Sequence, residues 1–310
     1  MIDFTIVAPC RNAAETLPET LASLLVQTDE NWRAFFVDDG SSDETGEILC
    51  KAASEDARIS VIRTEGVGPS RARNLAVDAA RTDWIACLDA DDLWPADRLT
   101  LARRFLETRP KTDALYGQCG FFVDDPARPT SVSKVAAGRL TVDDVLGENP
   151  ICTMSNLIIR TDVWRRAGGL DPTMVHAEDL DFLIRLIGGG ARIEGLPHGL
   201  TLYRSSRNGL SADLDAMARG WRAAASRAAA SGWASDRSLA RAEARQCRYL
   251  ARRALRLGAP GRVAAGFALR GAAISPAGFF SDARRGVFTL AAALAAPITP
   301  APLSRALYAR

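Results

Sequence analysis

Five carboxylates crowd the ends of two short apolar runs. Asp38 and Asp39 close one run in "AFFVDDGSSDET" (34–45), and Asp89, Asp91 and Asp92 close the other in "WIACLDADDLWP" (84–95). Like charges repel, so such a cluster is solvated, used as helix caps, or neutralised by what binds there. A divalent cation carrying a phosphorylated ligand would neutralise it. Mg²⁺ and Mn²⁺ prefer oxygen donors, and one or two carboxylates plus phosphate oxygens make a common site. Spacing alone leaves both the cation reading and the solvated or capping reading open.

Other chemistries are poorly provided for. The first apolar run is followed by "APCRNAAET", without the Gly-x-Gly-x-x-Gly of a dinucleotide site. No Walker-type phosphate loop and no Gly-x-Ser-x-Gly elbow occurs. His176 and His198 are the only histidines, which disfavours an imidazole-based metal site. The six cysteines are scattered without a Cys-x-x-Cys pair, and the expectation is small core residues in a reducing cytoplasm.

The elements that must position the acids alternate. "FTIVAPC" (4–10), "WRAFFVDD" (32–39), "ISVIRTE" (59–65) and "DWIACLDA" (83–90) read as strands. Between them, "TLPETLASLLVQT" spaces Leu17, Leu21, Leu24 and Leu25 as a helix does, and "GPSRARNLAVDAA" (68–80) follows suit. Ser41 and Glu44 have the spacing of a capping box. Four strand–helix alternations predict an α/β fold, a mostly parallel sheet flanked by helices. Ligands bind outside the carboxyl ends of such strands, where both acidic clusters fall. Further on, 95–110 reads as helix, 114–125 and 154–160 as strand, and 161–171 and 177–190 as helices. In the last of these Leu180, Leu183, Ile184 and Ile187 share a face. "LTLYRSS" (200–206) closes the domain.

Composition adds a division. The 310 residues are 47% hydrophobic and 25% charged, with net charge +2. Residues 211–310 hold 16 Arg, no Lys and 5 acids, a net of +11, which leaves −9 for the rest. The expected domains are 1–210, divided into a nucleotide-binding half (1–95) and an acceptor half (96–210), and an Ala/Arg-rich helical extension (211–310). "MIDFTIVAPC" lacks the basic start of a signal peptide, and no apolar run reaches the roughly 18 residues of a membrane span.

In order along the chain, "TIVAPCRNAAETLPETLASLLVQT", "FFVDDGSSDET", "GPSRARNLAVDAARTDWIACLDADDLW", "TMSNLIIRTDVWRRAGGLD" and "EDLDFLIRL" resemble the family 2 glycosyltransferases, which have the A-type nucleotide-sugar fold (GT-A). The resemblance covers roughly residues 3–210. It implies that Asp39 hydrogen-bonds the nucleobase, typically uracil, with Pro9, Arg11, Asn12 and Glu15 along the same wall. It implies that Arg73 lies near the nucleotide and pairs with a carboxylate. Asp89-Ala90-Asp91-Asp92 matches the family's DXD-type motif: Asp91 is expected at the ribose and, with Asp92, at Mn²⁺ or Mg²⁺, with Asp89 supporting either. Asp179 matches the general base, with Glu178 and Arg185 as its supports. Ser206 stands where many relatives carry a His, so Arg204 or Arg207 is expected to take over phosphate contact, or metal binding to weaken.

The implied function is metal-dependent, inverting transfer of a sugar from a nucleotide-diphosphate sugar, UDP-linked by expectation. The acceptor is a hydroxyl of a glycan or lipid-linked molecule, as in bacterial-type surface polysaccharide synthesis. The alternatives are a nucleotide-sugar-binding scaffold without turnover and a nucleotidyltransferase. The latter normally shows a Gly-rich, Lys-containing signature near the first strand, which "APCRNAAET" lacks. Arg241, Arg245, Arg248, Arg252 and Arg256 recur at helical steps. They are read as a solvated face or as a contact with anionic lipid, making the protein cytoplasmic and peripheral at the inner membrane face. No aromatics interleave with these arginines, so a nucleic-acid partner is not expected.

Overall fold

The structure is a computed structural model that describes residues 2–205 and 212–299. The chain forms two compact units: Met1–Leu140 with Pro150–Ser205, and Thr141–Asn149 with the described residues after Ser205.

The first unit begins with β1 (Phe4–Cys10), α1 (Leu17–Leu25), β2 (Trp32–Asp39), α2 (Thr45–Glu55), β3 (Ile59–Thr64), α3 (Pro69–Ala79) and β4 (Trp84–Cys87). After α4 (Arg98–Thr108) come β5 (Ala114–Phe122) and β6 (Ser131–Val132). The chain leaves this unit for α5 (Val142–Gly147), then returns with β7 (Ile158–Arg160), α6 (Thr161–Arg166), α7 (Glu178–Gly188) and β8 (Ile193–Arg204). The sheet order is β3-β2-β1-β4-β7-β5-β6, with β8 paired to β5. β3, β2, β1 and β4 are mutually parallel, β7 is antiparallel to β4 and β5, and β8 is parallel to β5. This is the mostly parallel, helix-flanked sheet that the alternation predicts.

β1 reads as an unbroken apolar run because helices cover both sheet faces; Phe4, Ile6, Val7 and Ala8 are all 0% exposed. On α1, Leu17, Leu21 and Leu24 are buried, whereas Leu25 is turned outward. On α7, Leu180, Leu183 and Ile184 are buried and Ile187 is half-buried. Phe182 adds a tilted contact to Trp164 at 4.5 Å between ring centroids. Truncating a buried leucine such as Leu183 to Ala costs about 2–5 kcal/mol. α3 starts where Gly68 takes φ +87, a value that favours glycine, and Pro69 opens the helix.

One local expectation changes. Ser41 and Glu44 form no capping box: α2 starts at Thr45, whose N–H goes to Asp43 Oδ1 at 3.0 Å. The box is found on α5 instead, where Asp144 N donates to Thr141 Oγ1 at 3.2 Å and Thr141 N to Asp144 Oδ2 at 2.9 Å.

The second unit is helical: α8 (Leu214–Ala230), α9 (Asp236–Leu257), α10 (Gly261–Ile274), α11 (Pro276–Phe279) and α12 (Ala283–Ala295). Small residues let α9 and α10 pack closely; a Cβ on Gly271 would lie 2.7 Å from that of Cys247. α5 lies along α9. Trp221 Nε1 donates to Leu146 O at 2.9 Å, and Arg245 Nη2 to Asp143 O at 2.9 Å. Arg248 is buried, with Nη2 on Glu148 Oε1 at 2.6 Å and Nη1 on Phe279 O at 2.9 Å. The arginine stripe of α9 is therefore not one solvated or lipid-facing surface. At Arg245 and Arg248 it turns inward, because the carbonyls and the carboxylate of 143–148 offer those guanidiniums partners. Among the described residues no helix is long and apolar enough to cross a membrane.

Candidate active site

The acidic turn after β4 is held from three sides. Leu88 N donates to Val7 O at 3.1 Å, Asp89 N to Ser155 Oγ at 2.9 Å, and Leu93 N to Leu202 O at 3.0 Å. Asp92 N closes the turn on Asp89 O at 3.2 Å. Three carboxylates then meet three environments. Asp89 accepts from Arg73 Nη2 through one oxygen and from Thr153 Oγ1, at 3.2 Å, through the other. Asp92 is 0% exposed and accepts from Arg204 N at 3.0 Å and Thr153 Oγ1 at 3.2 Å. Burial, then the charges of Asp91 and Asp89, push its pKa well above the usual carboxylate range. Asp91 is the exposed member. Loss of water contact and the like charge of Asp89 push it to about 6, and the repulsion is the cause that its exposed position supports.

Among the described residues no three His, Cys, Asp or Glu side chains converge as a metal cage. A cation fits here only if ligand oxygens complete its shell, as diphosphate oxygens do for Mg²⁺ or Mn²⁺. The donor set suits that arrangement: Asp91 is turned to solvent beside Asp89, while each oxygen of Asp92 already accepts a bond.

A buried cation joins this turn to α7. Arg73 is 5% exposed; its Nη2 pairs with Asp89, and neither Nε nor Nη1 has a hydrogen-bond partner among the described residues. Asp89 and Glu178 hold it charged against its burial. Ala177, in the left-handed region at φ 61, turns the chain into α7, a conformation costing roughly 1 kcal/mol or more. Glu178 and Asp179 follow. Burial and the charge of Asp179 raise Glu178 to about 7, against the pull of Arg73. Burial also raises Asp179, opposed by its own helix amide, Leu180 N at 2.7 Å, and by Arg73. A helix N-terminus favours the ionised carboxylate, but desolvation outweighs it at Asp179.

The other acidic strand end is built differently. Asp39 is 2% exposed and accepts from Thr64 Oγ1 at 2.5 Å, Val67 N at 2.6 Å and Gly68 N at 2.8 Å. Its pKa is lowered: burial works against ionisation, but these three donors and the charge of Arg11 prevail. Asp39 thus shapes the loop from β3 into α3. Arg11 lies over that loop, where a Cβ on Gly66 would come 3.3 Å from its Nη1. Asn12, at φ 49, receives Ser42 N at 2.8 Å, and its own N–H goes to Ser41 Oγ at 3.1 Å. Pro9 lies near the end of β1 opposite Val37, and Glu15 is exposed before α1.

Two expected supports have other partners. Arg185 does not brace Asp179: its Nε donates to Asp181 Oδ2 at 2.8 Å and its Nη2 to Gly169 O at 2.7 Å, so it ties α7 to the segment after α6. Arg204 donates from Nη2 to Glu19 Oε2 at 2.5 Å and from Nε to Asp91 O at 3.0 Å. Ser206 and Arg207 lie outside the described residues. Thr153, which touches two of the three acids, escapes a reading of the sequence. The only local signal is the Thr-x-Ser spacing, in which Thr153 caps the short turn Met154–Asn156 and Ser155 receives Asp89 N.

A parallel sheet with acidic strand ends, a buried arginine and a helix-borne acid pair is the layout of an A-type nucleotide-sugar transferase. The sequence profile of Glycosyl transferase family 2 matches residues 5–165, and the chain belongs to that family. EpsJ, an uncharacterized glycosyltransferase of Bacillus subtilis (strain 168), is 30% identical over 217 residues, covering 67% of this chain and 62% of EpsJ. The match therefore spans less than two thirds of EpsJ's own length. A PGL/p-HBAD biosynthesis glycosyltransferase of Mycobacterium bovis (strain BCG / Pasteur 1173P2) is 29% identical over 210 residues, 67% of this chain and 78% of that protein. The fold is that of the mannosyltransferase PcManGT from Pyrobaculum calidifontis, solved with GDP-Man and Mn²⁺. Its TM-score is 0.64 at 20% identity, over 98% of this chain and 86% of that one. S. aureus TarS (1–349) with UDP-GlcNAc gives a TM-score of 0.63 at 17% identity, over 94% and 90%.

Proposed function

We propose that this glycosyltransferase moves a sugar, with inversion, from a nucleotide-diphosphate sugar, UDP-linked by preference, to a hydroxyl of a glycan or lipid-linked acceptor. One observation carries the reading: the exposed Asp91 and the half-buried Glu178–Asp179 pair belong to one electrostatic group centred on Arg73 and Asp89. Asp91, beside Asp89, is the carboxylate placed to hold Mn²⁺ or Mg²⁺, and Asp92 braces the turn from beneath. A bound cation would supply neutralising charge for the departing diphosphate. Arg73 adds fixed positive charge, with Nε and Nη1 unpartnered among the described residues.

The acceptor hydroxyl loses its proton to Asp179 as its oxygen attacks the anomeric carbon. The bond from that carbon to the diphosphate breaks, and the nucleotide diphosphate leaves from the opposite face. A single displacement of this kind inverts the anomeric centre. Raising the pKa of a carboxylate makes it a stronger base, and burial, then the charge of Asp89, work in that direction at Asp179. The surface-glycan setting draws support from the PGL/p-HBAD relative. Asp179→Asn keeps the shape and cannot take the proton. Transfer should fall by about 10²–10⁴ while nucleotide affinity stays level. Near-normal transfer would move the base elsewhere, with Glu178 the next candidate.

A further inference from the structure

We propose that the outer side of α12, with the arginines flanking it on α9, is a contact surface for an anionic lipid bilayer. α12 is unevenly dressed. Val287, Phe288 and Leu294 are 56, 66 and 49% exposed, and Ile298, in the turn that follows, is 86% exposed. At 100° per residue Val287, Phe288 and Leu294 fall within one third of the helix circumference, and Arg284 lies inside that arc with its guanidinium 5.9 Å from the Phe288 ring centroid. Such a stripe facing water is unusual on a small helical unit.

The flank is overcharged. Glu148 already receives Arg248 Nη2 at 2.6 Å and Arg285 Nη1 at 3.4 Å. Arg252 and Arg256 continue the same α9 row. Their pKa values are pulled down by partial burial and by each other's neighbours: Arg256, Arg285 and Arg248 act on Arg252, and Arg253 and Arg285 act on Arg256. Asp282 Oδ2 also lies 3.3 Å from Arg285 Nε, so four guanidiniums, those of Arg248, Arg252, Arg256 and Arg285, share two carboxylates, an excess that an external anion relieves. Residues 211–310 carry +11 with no Lys, so the whole unit has that sign.

The occupant follows from shape and charge together. The apolar stripe is convex, as a helix face is, and a bilayer interface accepts a convex face without a matching groove. A second copy would bring +11 against +11. A phosphate-bearing membrane supplies both halves: headgroup charge for Arg256 and Arg284, and hydrocarbon for Phe288 and Ile298. This rests on, and deepens, the acceptor reading above, since a lipid-linked acceptor is met at such a surface. The experiment reads lipid binding and not transfer, so the two can fail separately.

The test is co-sedimentation of the full chain with phosphatidylcholine vesicles and with mixed phosphatidylglycerol/phosphatidylcholine vesicles. Binding is expected to the mixed vesicles only, weakening as salt rises. Phe288→Ser with Ile298→Ser should lower the partition by about tenfold or more, with circular dichroism unchanged because both residues are exposed. Arg256→Gln with Arg284→Gln should remove the preference for mixed vesicles. Equal partition into both vesicle types, or none, overturns the proposal. So does an unchanged partition for the Phe288/Ile298 variant, or a concentration-dependent dimer that this variant abolishes. Stabilisation by inorganic diphosphate without vesicle binding would point to a soluble anion site and overturns it as well.

Discussion

The hydroxyl of Thr153 lies 3.2 Å from a carboxylate oxygen of Asp89 and 3.2 Å from one of Asp92. A hydroxyl has one proton to donate, so it cannot serve two ionised carboxylates at once. Burial and the charges of Asp91 and Asp89 push the pKa of Asp92 up, whereas Asp89 is ion-paired with Arg73. Thr153→Val keeps the shape and removes the link. Denaturant unfolding should show a loss of about 1–3 kcal/mol. An unchanged midpoint would mean that Thr153 does not organise the turn.

Asp92 and Asp91 should respond differently to neutralisation. Asn at 92 resembles the neutral acid that burial already favours, so Asp92→Asn should shift thermal stability little and leave most of the metal response of nucleotide binding in place. A melting temperature that collapses in Asp92→Asn would show that the ionised form is the one the fold needs.

Asp39 carries a pH prediction. Its folded pKa lies below the unfolded value, so its contribution to stability is complete above about pH 4. It is lost as pH falls through the folded value. Acid titration of stability should therefore show a downward step below about pH 4 that is absent in Asp39→Asn. That variant should be less stable at neutral pH, because an amide accepts through one oxygen where the carboxylate serves three donors. Equal acid profiles in the two proteins would contradict the assignment.

Glu178 predicts the opposite sign. Its folded pKa, about 7, lies above the usual carboxylate value. Its contribution is present at low pH and declines as pH rises from about 4 towards 7. The transfer rate should rise over the upper part of that window as the Glu178–Asp179 pair ionises. Glu178→Gln should move that rise to lower pH, because the neighbouring negative charge is gone. A pH–rate profile that Glu178→Gln leaves in place would detach Glu178 from the base.

The sheet was legible because buried parallel strands leave apolar runs, two of which, "AFFVDD" and "WIACLDADD", end in acids. The acids themselves were legible as a group but not in their division of labour. Sequence cannot show that Asp92 is sealed under Arg204 N and Thr153 while Asp91 faces solvent, since both follow one turn. α5 escaped notice because it has only six residues and its box uses Asp144 in place of Glu or Gln. The helical extension over 211–310 was legible from its Ala and Arg content, but the bounds of α10 and α12 were not, because Ala and Gly blur the hydrophobic period that leucines make plain in α1 and α7. Arg98 lies in the helix expected over 95–110, and nothing in its type marks it for the core. It is fully buried on the face of Trp94, 4.0 Å from the ring centroid, with its pKa drawn down to about 9 by burial.

The most direct test of a nucleotide site built on Asp91 is calorimetric titration of UDP into the protein with Mn²⁺ and with EDTA, repeated on Asp91→Asn. Tight binding with Mn²⁺, weak binding with EDTA, and loss of that difference in Asp91→Asn are the expected results. Equal UDP affinity with and without metal in the unmodified protein, or a metal response that survives in Asp91→Asn, would contradict the account.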